Sequence, residues 1–353
     1  MVLITGGTGH LGFRIIVEAL QLGYSVRAAI RSETKATPIL DTPSIQSLDP
    51  GSRLSFFTVP DITVHGAYDE AVRGCEYVIH AASPLGSSVG TDDWESSLIR
   101  PAVEGTIQML ESAHKARTVK RVVITSSTVA IVPFKVLAGI VDLEKPTVDT
   151  DRTPNVEGPF PLGAFQAYAA SKVASLNASE TWMKTHKHEN EVGFGFGFDL
   201  INLLPSFIVG KNELVTDLKD VMTGSNSVVL RNIIGPGSLT PSKGVTVHLH
   251  DVAKIHVLSL DKDKIDGDQA FILTTGGVEG NVYNEAHGIV RRHFAEAVKE
   301  GIVRNSGDQP TKAPANVDYA RTEEVFGFKL RGFEEQVVSV VGHYVELVKA
   351  AKQ

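Results

Sequence analysis

A glycine-rich turn near the amino terminus constrains the fold of this chain more than any other feature. Val2 to Ile4 form a short run of β-forming residues, and apolar residues recur at helical spacing from Leu11 until Gly23. Between these segments, the spacing of four glycines fits both G-x-G-x-x-G and TG-x-x-G-x-x-G: Gly6, Gly7, Gly9 and Gly12. Glycines allow backbone angles that a Cβ forbids, and they let a pyrophosphate lie on the amides at a helix start. The strand-turn-helix context predicts that this segment binds a dinucleotide.

Composition narrows the classes of partner. The formal net charge of -7 over 353 residues argues against a nucleic-acid or anionic-membrane surface, so a small molecule is the expected partner. One cysteine, Cys75, excludes an internal disulfide and fits a reducing compartment. No charged leader precedes the first strand, and no apolar stretch is long enough to span a bilayer. A cytoplasmic protein is expected.

Strand-like and helical segments alternate along most of the chain. Five further strands are predicted at 24–30, 54–59, 77–82, 119–125 and 192–204, and long helices at 92–117 and 165–186. This alternation predicts an α/β fold with a doubly wound parallel sheet of the Rossmann type. We expect residues 1–205, with a returning segment at about 245–275, to bind the dinucleotide. Residues 206–353 are expected to form most of a smaller, interleaved C-terminal substrate lobe.

Three features are predicted in the carboxyl-terminal part. These are a short strand at 245–249, a helix from Val252 capped by Asp251, and an amphipathic helix at 333–352. His248, His250 and His256 could suggest a metal. Because no cysteine or carboxylate completes a recognisable ligand set, we predict structural histidines and no metal.

The end of the second predicted strand bears on the choice of cofactor. In a dinucleotide fold this position lies beside the adenosine ribose, where an acidic side chain would select NAD. Ile30 and Arg31 stand there instead, with Lys35 one turn later. Because a guanidinium can form paired bonds with a 2′-phosphate, the sequence predicts NADP(H).

Two other strand ends are candidate cofactor contacts. Asp61, followed by Ile62, could accept a hydrogen bond from the adenine amine, or serve as a helix cap for the next segment, or do both. Ala81, Ala82 and Ser83 are small enough for a cofactor to pass close to the backbone. Both strand ends lie at the edge of the sheet where such folds bind ligands.

A serine, a tyrosine and a lysine form a candidate catalytic set. The strand at 119–125 delivers Ser126 and Ser127 at its carboxyl end, and Tyr168 and Lys172 stand at i and i+4 on one helix face. An ammonium beside a phenol stabilises the phenolate and lowers the phenol pKa toward neutrality. The pattern predicts acid catalysis by Tyr168.

Taken together, Thr5 to Gly12, Ser127, Tyr168 and Lys172 resemble the extended short-chain dehydrogenase/reductase family, of the NAD-dependent epimerase/dehydratase type. Nearly the whole chain fits this resemblance. Six segments are similar to the branch of dihydroflavonol reductases, cinnamoyl-CoA reductases and fungal methylglyoxal and aldehyde reductases: VRAAIRS, VIHAASP, RPAVEGT, VKRVVITSS, INLLPSFIVG and FGFKLRGFEEQV. The resemblance implies NADPH-linked reduction of a carbonyl.

The resemblance also implies residue roles. Tyr168 would protonate the carbonyl oxygen, Lys172 would lower the tyrosine pKa and hold the nicotinamide ribose, and Ser127 would hydrogen-bond the carbonyl. Together with the residues predicted above, the expected cofactor-binding set is Thr5, Gly6, Gly7, Thr8, Gly9, His10, Leu11, Gly12, Arg31, Lys35, Asp61, Ile62, Ala81, Ala82, Ser83, Tyr168, Lys172 and Pro205.

Two departures from the plant members concern the substrate. Val132 stands where flavonoid reductases carry an asparagine, and the segment from Phe165 to Lys172 lacks the NWYCYGK-like motif of the coenzyme-A reductases. Neither plant substrate is supported. The candidate substrate residues are Ser127, Val129, Phe134, Phe165 and Phe207, with Leu230 as a further wall or an ordinary core residue. An apolar pocket would suit a hydrophobic or aromatic ketone.

The sequence thus predicts an NADPH-dependent carbonyl reductase, a monomer or homodimer, that reduces an aldehyde or ketone with Tyr168 as general acid. Three alternatives stay open, and one of them is a hydroxysteroid dehydrogenase. A nucleotide-sugar epimerase or dehydratase shares the fold and triad, but it would favour an acid where Arg31 stands. A non-catalytic NADP(H) sensor would have no need of Tyr168 and Lys172.

Overall fold

The computed structural model describes residues 1–84, 93–190, 197–238, 241–312 and 316–352 of the chain. The strands are β1 (Val2–Thr5), β2 (Val26–Ile30), β3 (Leu54–Thr58), β4 (Tyr77–His80), β5 (Arg121–Thr125), β6 (Asp199–Pro205), β7 (Phe207–Val209), β8 (Ser242–Lys243), β9 (Thr246–His248), β10 (Gln269–Leu273) and β11 (Thr311–Lys312).

The helices are α1 (His10–Gln21), α2 (Ala36–Leu40), α3 (Pro43–Leu48), α4 (Arg100–Ala116), α5 (Phe134–Leu137), α6 (Ala164–Asn190), α7 (Ser227–Ile234), α8 (Leu249–Leu258), α9 (Ala286–His293), α10 (Ala295–Lys299), α11 (Ala320–Phe326) and α12 (Phe333–Ala350). None of these helices, as far as the chain is described, is long and apolar enough to span a bilayer.

Seven strands form the main sheet, in the order β10-β6-β5-β4-β1-β2-β3. From β3 to β6 each neighbouring pair is parallel. The strand order reverses at β1 and β4, which is where ligands bind in open α/β sheets, outside the carboxyl ends of the strands. The prediction of a doubly wound parallel sheet is confirmed.

The central strands are apolar because both of their faces are covered. All four residues of β1 are buried, as are four of the five residues of β5. On one side α1 buries an apolar stripe that includes Phe13, Ile16 and Leu20. Elsewhere Met109 and Leu110 of α4 enter an apolar cluster with Trp182 of α6. The burial of these apolar faces fixes α1, α4 and α6 in place within unit 1.

Contacts between residues divide the chain into two compact units. Unit 1 comprises 1–142, 149–204 and 254–271, and unit 2 comprises 143–148, 205–253 and 272–353. The core of unit 2 brings together α7, α9 and α12 around Leu230, Val290 and Val341. The domain boundaries expected from the sequence stay a prediction.

Several elements differ from their predicted bounds. The seventh strand, β10, was not predicted, and the strand expected at 192–204 begins only at Asp199, with 192–196 outside the described residues. The helix expected at 92–117 consists of a π-helical turn, Glu95–Ile99, followed by α4, and residue 92 lies outside the described residues. The strand expected at 245–249 is β9, which pairs with β7 and not with the main sheet.

The capping role predicted for Asp251 is wrong. Helix α8 begins at Leu249, so Asp251 lies within its first turn. The buried carboxylate instead accepts a hydrogen bond from the Arg331 backbone N at 2.6 Å and pairs with the Arg331 guanidinium. A buried charge needs such a partner, which a sequence pattern does not show.

Candidate active site

The glycine turn packs three backbone segments together without intervening side chains. Gly6 has a φ of +72°, and a Cβ there would lie 2.9 Å from the backbone of Ala81 and Ala82. A Cβ on Gly12 would lie 2.1 Å from the Gly6 carbonyl oxygen. The first turn of α1, the loop and the end of β4 therefore form one close-packed cradle that only glycine permits.

This cradle leaves the start of α1 open to an anion. In the described chain, no side chain caps the α1 N-terminus, and its first turn carries no acidic residue. Thr8 and Gly9 are exposed on the same turn. A helix N-terminus with a glycine loop favours a phosphate because its amides and dipole point outward.

Thr5 ties the ends of β1 and β4 together. The Ala82 backbone N donates to Thr5 Oγ1 at 3.0 Å, and this hydroxyl lies 3.0 Å from Nδ1 of His80. We assign the hydroxyl hydrogen to a bond donated to Nδ1, which makes His80 an acceptor on that side. Burial, aided by the charge of Lys172, lowers the pKa of His80 to about 3, so the ring is neutral. The sequence interpretation of His80 as a packed, hydrogen-bonded residue agrees with this geometry.

The structure brings Ser127, Tyr168 and Lys172 together at the carboxyl end of β5. Ser127 follows the strand, and its hydroxyl accepts a bond from Val129 N at 3.4 Å and hydrogen-bonds with Tyr168. Lys172 Nζ lies 5.8 Å from the centre of the Tyr168 ring and donates to Ser83 Oγ at 3.2 Å. This contact connects the triad to the end of β4, beside the glycine cradle.

The pKa of Tyr168 differs from expectation. Burial raises the pKa of Tyr168 to about 12, against the opposing effect of its hydrogen bond with Ser127. Burial lowers the pKa of Lys172 to about 8. The predicted lowering of the tyrosine pKa by Lys172 is therefore not observed, because loss of water around the phenol outweighs its neighbours. The phenol holds its proton at neutral pH.

Sequence reasoning missed a polar cavity around Lys172. Ser126, Ser175 and Asn202 line it together with Lys172. Ser126 Oγ, Ser175 Oγ and Asn202 Oδ1 are buried without a hydrogen-bond partner among the described residues. Asn202 could have been noticed, since it is the one polar residue in the apolar run 200–205 of β6. The polar lining fits a site that holds an ordered polar group.

The expected adenosine-side residues lie at the ends of β2 and β3. Arg31 directly follows β2 and is exposed, as is Lys35. Asp61 accepts bonds from Thr63 N at 2.9 Å and Thr63 Oγ1 at 2.7 Å. These bonds, with a smaller effect of Arg31, hold the pKa of Asp61 below its ordinary value. Asp61 thus caps a turn, and the helix cap predicted for it is wrong, because residues 62–74 form bends and turns rather than a helix. The contact of Asp61 with the adenine amine stays a prediction.

The expected substrate residues fall into two groups. In unit 1, Val129 and Phe134 line a cavity, and the rings of Phe134 and Phe165 lie 6.0 Å apart. In unit 2, Phe207 lies in β7, whereas Leu230 is fully buried in the core. Leu230 is therefore an ordinary core residue, the second of its two readings. Pro205 is the buried last residue of β6, and its role stays a prediction.

The open parallel sheet, with a glycine cradle where its strand order reverses, defines a dinucleotide-binding α/β protein. Comparison with known proteins shows that it is an oxidoreductase. The model of the NAD dependent epimerase/dehydratase family matches residues 2–273. The chain belongs to this family, and within it to the extended short-chain dehydrogenases/reductases.

Relatives are similar along nearly the whole chain. The ketoreductase CTB6 of Cercospora beticola is 39% identical, over 98% of this chain and 95% of its own length. The NAD-dependent epimerase/dehydratase ALT6 of Alternaria alternata is 34% identical, over 96% of each chain. Among solved structures, Gre2 of Candida albicans in complex with NADPH has a TM-score of 0.77 at 23% identity, over 98% of each chain. This structural likeness shows the shared fold.

Proposed function

We propose that the chain is an NADPH-dependent carbonyl reductase that converts an aldehyde or ketone to an alcohol. The observation that carries the proposal is the meeting of Ser127, Tyr168 and Lys172 at the sheet edge, with Lys172 bonded to Ser83 beside the glycine cradle. The similarity to ketoreductases supports the direction of the reaction.

The residues present fit NADP(H). The uncapped start of α1 and the cradle that a Cβ would fill suit the pyrophosphate. The exposed Arg31 at the end of β2 suits a 2′-phosphate, and Lys172 and Tyr168 would face the nicotinamide ribose. When bound, this cofactor supplies the hydride that reduces the carbonyl carbon.

The side chains of the triad act on the carbonyl oxygen. Ser127 donates a hydrogen bond that orients the carbonyl and stabilises negative charge as it develops on the oxygen. Tyr168 then transfers its phenolic proton to that oxygen. The pKa of about 12 keeps Tyr168 protonated until a much stronger base, the developing alkoxide, takes the proton. The buried Lys172 ammonium, 5.8 Å from the centre of the Tyr168 ring, stabilises the resulting phenolate by charge attraction.

The test combines calorimetry with an activity assay on purified protein. The wild type should bind NADPH more tightly than NADH and oxidise NADPH when ketones or aldehydes are added. Arg31→Ala should weaken NADPH binding by about 10- to 100-fold, the value of a charge-assisted bond, and change NADH binding little. Arg73→Ala, at another exposed arginine, is the matched control and should bind NADPH like the wild type.

Other results would overturn the proposal. Tighter binding of NADH, or NAD carried through purification, would favour the epimerase or dehydratase alternative. NADPH binding with no turnover of any carbonyl compound would favour the sensor alternative.

A further inference from the structure

A polar cavity lies inside unit 1 at Lys172, the lysine of the triad. Ser126 after β5, Asn202 in β6 and Ser175 in α6 line this cavity together with Lys172. Strand pairing fixes two of the walls, because Ser126 N donates at 2.7 Å to the carbonyl of Leu203, the residue after Asn202. Ser175 stands three residues after Lys172, on the same face of α6. The three polar side chains therefore have fixed positions beside the lysine.

One oxygen on each of these three side chains is buried without a hydrogen-bond partner among the described residues: Ser126 Oγ, Ser175 Oγ and Asn202 Oδ1. Asn202 is 3% exposed and Ser126 is 7% exposed. A buried oxygen without a partner costs free energy, and an apolar side chain at the same position would avoid that cost. Three such oxygens at one cavity indicate a shared partner that the described chain does not supply.

The size of the cavity identifies this partner. The cavity offers about 10 Å³ to the centre of a water-sized sphere, which is about the room that one water molecule needs. A carbonyl substrate or a nicotinamide ring is too large for this space. A single water, held by polar groups on several sides, fits it.

The hydrogen-bonding capacity of one water also matches the groups present. Among the described residues, Ser83 Oγ is the hydrogen-bond partner of the Lys172 ammonium, so two of its three N–H groups remain for the nicotinamide ribose and for a water. The water can accept from Lys172 Nζ and from one serine hydroxyl, and it can donate to Asn202 Oδ1 and to the other serine oxygen. These four bonds give each of the three buried oxygens a partner.

The surroundings of Lys172 show why such a water matters. Lys172 is 7% exposed, and burial lowers its pKa to about 8. The titratable side chains that face it are His80, which is neutral, and Tyr168, which keeps its proton. Among the described residues, no carboxylate raises the pKa of Lys172. A water that accepts from Nζ and is itself held by Asn202 favours the charged form of the lysine.

We propose that Asn202 is a positioning residue that, with Ser126 and Ser175, holds one buried water against Lys172. The water hydrates the ammonium inside unit 1 and so preserves the charge that stabilises the Tyr168 phenolate. The site of the water stands on the cavity, whereas its effect on turnover rests on the proposed function.

Crystal structures of the wild type and of Asn202→Leu, each with NADPH, test the site itself. The wild type should show an ordered water within about 3.2 Å of both Lys172 Nζ and Asn202 Oδ1. Asn202→Leu keeps a side chain of similar size and removes the acceptor, so this water should be lost. A wild-type cavity without a water, or with an atom of the cofactor in its place, would overturn the proposal.

The pH dependence of kcat, measured with the best ketone found for the wild type, tests what the water does. On the alkaline side kcat should fall as Lys172 loses its proton. In Asn202→Leu the midpoint of this fall should move to lower pH by about one unit, because a hydrogen bond that supports the charged lysine is lost. Disturbed packing alone would lower kcat without moving the midpoint.

Asn202→Asp is the matched control for the pH profile. It keeps an acceptor of the same shape and adds negative charge near the lysine, so its midpoint should lie at or above that of the wild type. A midpoint that falls equally in Asn202→Asp and Asn202→Leu would overturn the positioning role.

The outcomes separate the two proposals. An identical midpoint in the wild type and Asn202→Leu overturns the positioning role of Asn202 and leaves the carbonyl reductase standing. No turnover of any ketone or aldehyde by the wild type would count against the proposed function, and the effect of the water on turnover falls with it, while the crystal structures still decide the site.

Discussion

Replacing His80 by asparagine should remove part of the acid sensitivity of the fold. In the folded protein burial lowers the pKa of His80 to about 3, whereas an unfolded histidine titrates near 6.5. Between these values the unfolded state binds more protons, so the free energy of unfolding falls as the pH is lowered below about 6.5. At pH 5 the expected loss from this group is about 2 kcal/mol relative to pH 7.

The asparagine is chosen to keep the local hydrogen bond. Its Oδ1 can accept from Thr5 Oγ1 as Nδ1 does, but it does not titrate. The free energy of unfolding is measured by urea unfolding, followed by circular dichroism, at pH 7 and at pH 5. Between these two pH values the wild type should lose about 2 kcal/mol more than His80→Asn. His65→Asn, at an exposed histidine, controls for the loss of a histidine as such. Parallel pH dependences in wild type and His80→Asn would refute the reasoning.

Three further substitutions test other parts of the account, each by urea unfolding. Gly12→Ala places a Cβ 2.1 Å from a carbonyl oxygen of the cradle. It should lower the free energy of unfolding by about 2 to 3 kcal/mol and weaken NADPH binding, and unchanged stability would contradict the close packing. Lys172→Met should abolish turnover yet raise stability at pH 7 by up to about 3 kcal/mol, because burial lowers the lysine pKa from 10.5 to about 8. This gain should shrink from pH 8 to 10, because there the unfolded lysine binds more protons than the folded one and the wild type becomes more stable as the pH rises. A gain that stays constant over this range would refute the lowered pKa of Lys172 as its cause. Arg121→Met removes the buried guanidinium that pairs with Asp199 and donates to the Ser259 carbonyl, and it should cost about 2 kcal/mol even though Asp199 keeps its pair with Lys262. Lys120→Ala, at an exposed pair, should stay near the wild type, and equal effects of the two substitutions would contradict the difference in burial.

The sheet and its first helix could be predicted because the signals are local. Apolar runs bounded by turns located six of the seven strands of the main sheet, and four glycines located the start of α1. β10 was missed although helix α8 precedes it, because the irregular segment 259–268 separates the two and Gln269–Leu273 is only five residues long. Whether β9 would join the main sheet or pair with β7 depends on long-range contacts that a short apolar run does not encode.

The candidate site also has features that the sequence predicts and features that only the folded chain shows. The spacing of Tyr168 and Lys172 on one helix predicted their proximity, and the strand end predicted the position of Ser127. The pKa of Tyr168 could not be predicted, because its direction depends on burial. The unpartnered hydroxyls of Ser126 and Ser175 could not be found either, since only the folded chain shows which buried polar atoms lack a partner among the described residues.

The most direct test of the central claim is the turnover of Tyr168→Phe. The substitution removes only the phenolic oxygen, and loss of a general acid costs about 100- to 10,000-fold. With the best ketone found for the wild type, we predict that kcat falls by at least about 100-fold while calorimetry still shows NADPH binding within a few-fold of the wild type. Near-normal turnover by Tyr168→Phe would contradict the assignment of Tyr168 as the proton donor.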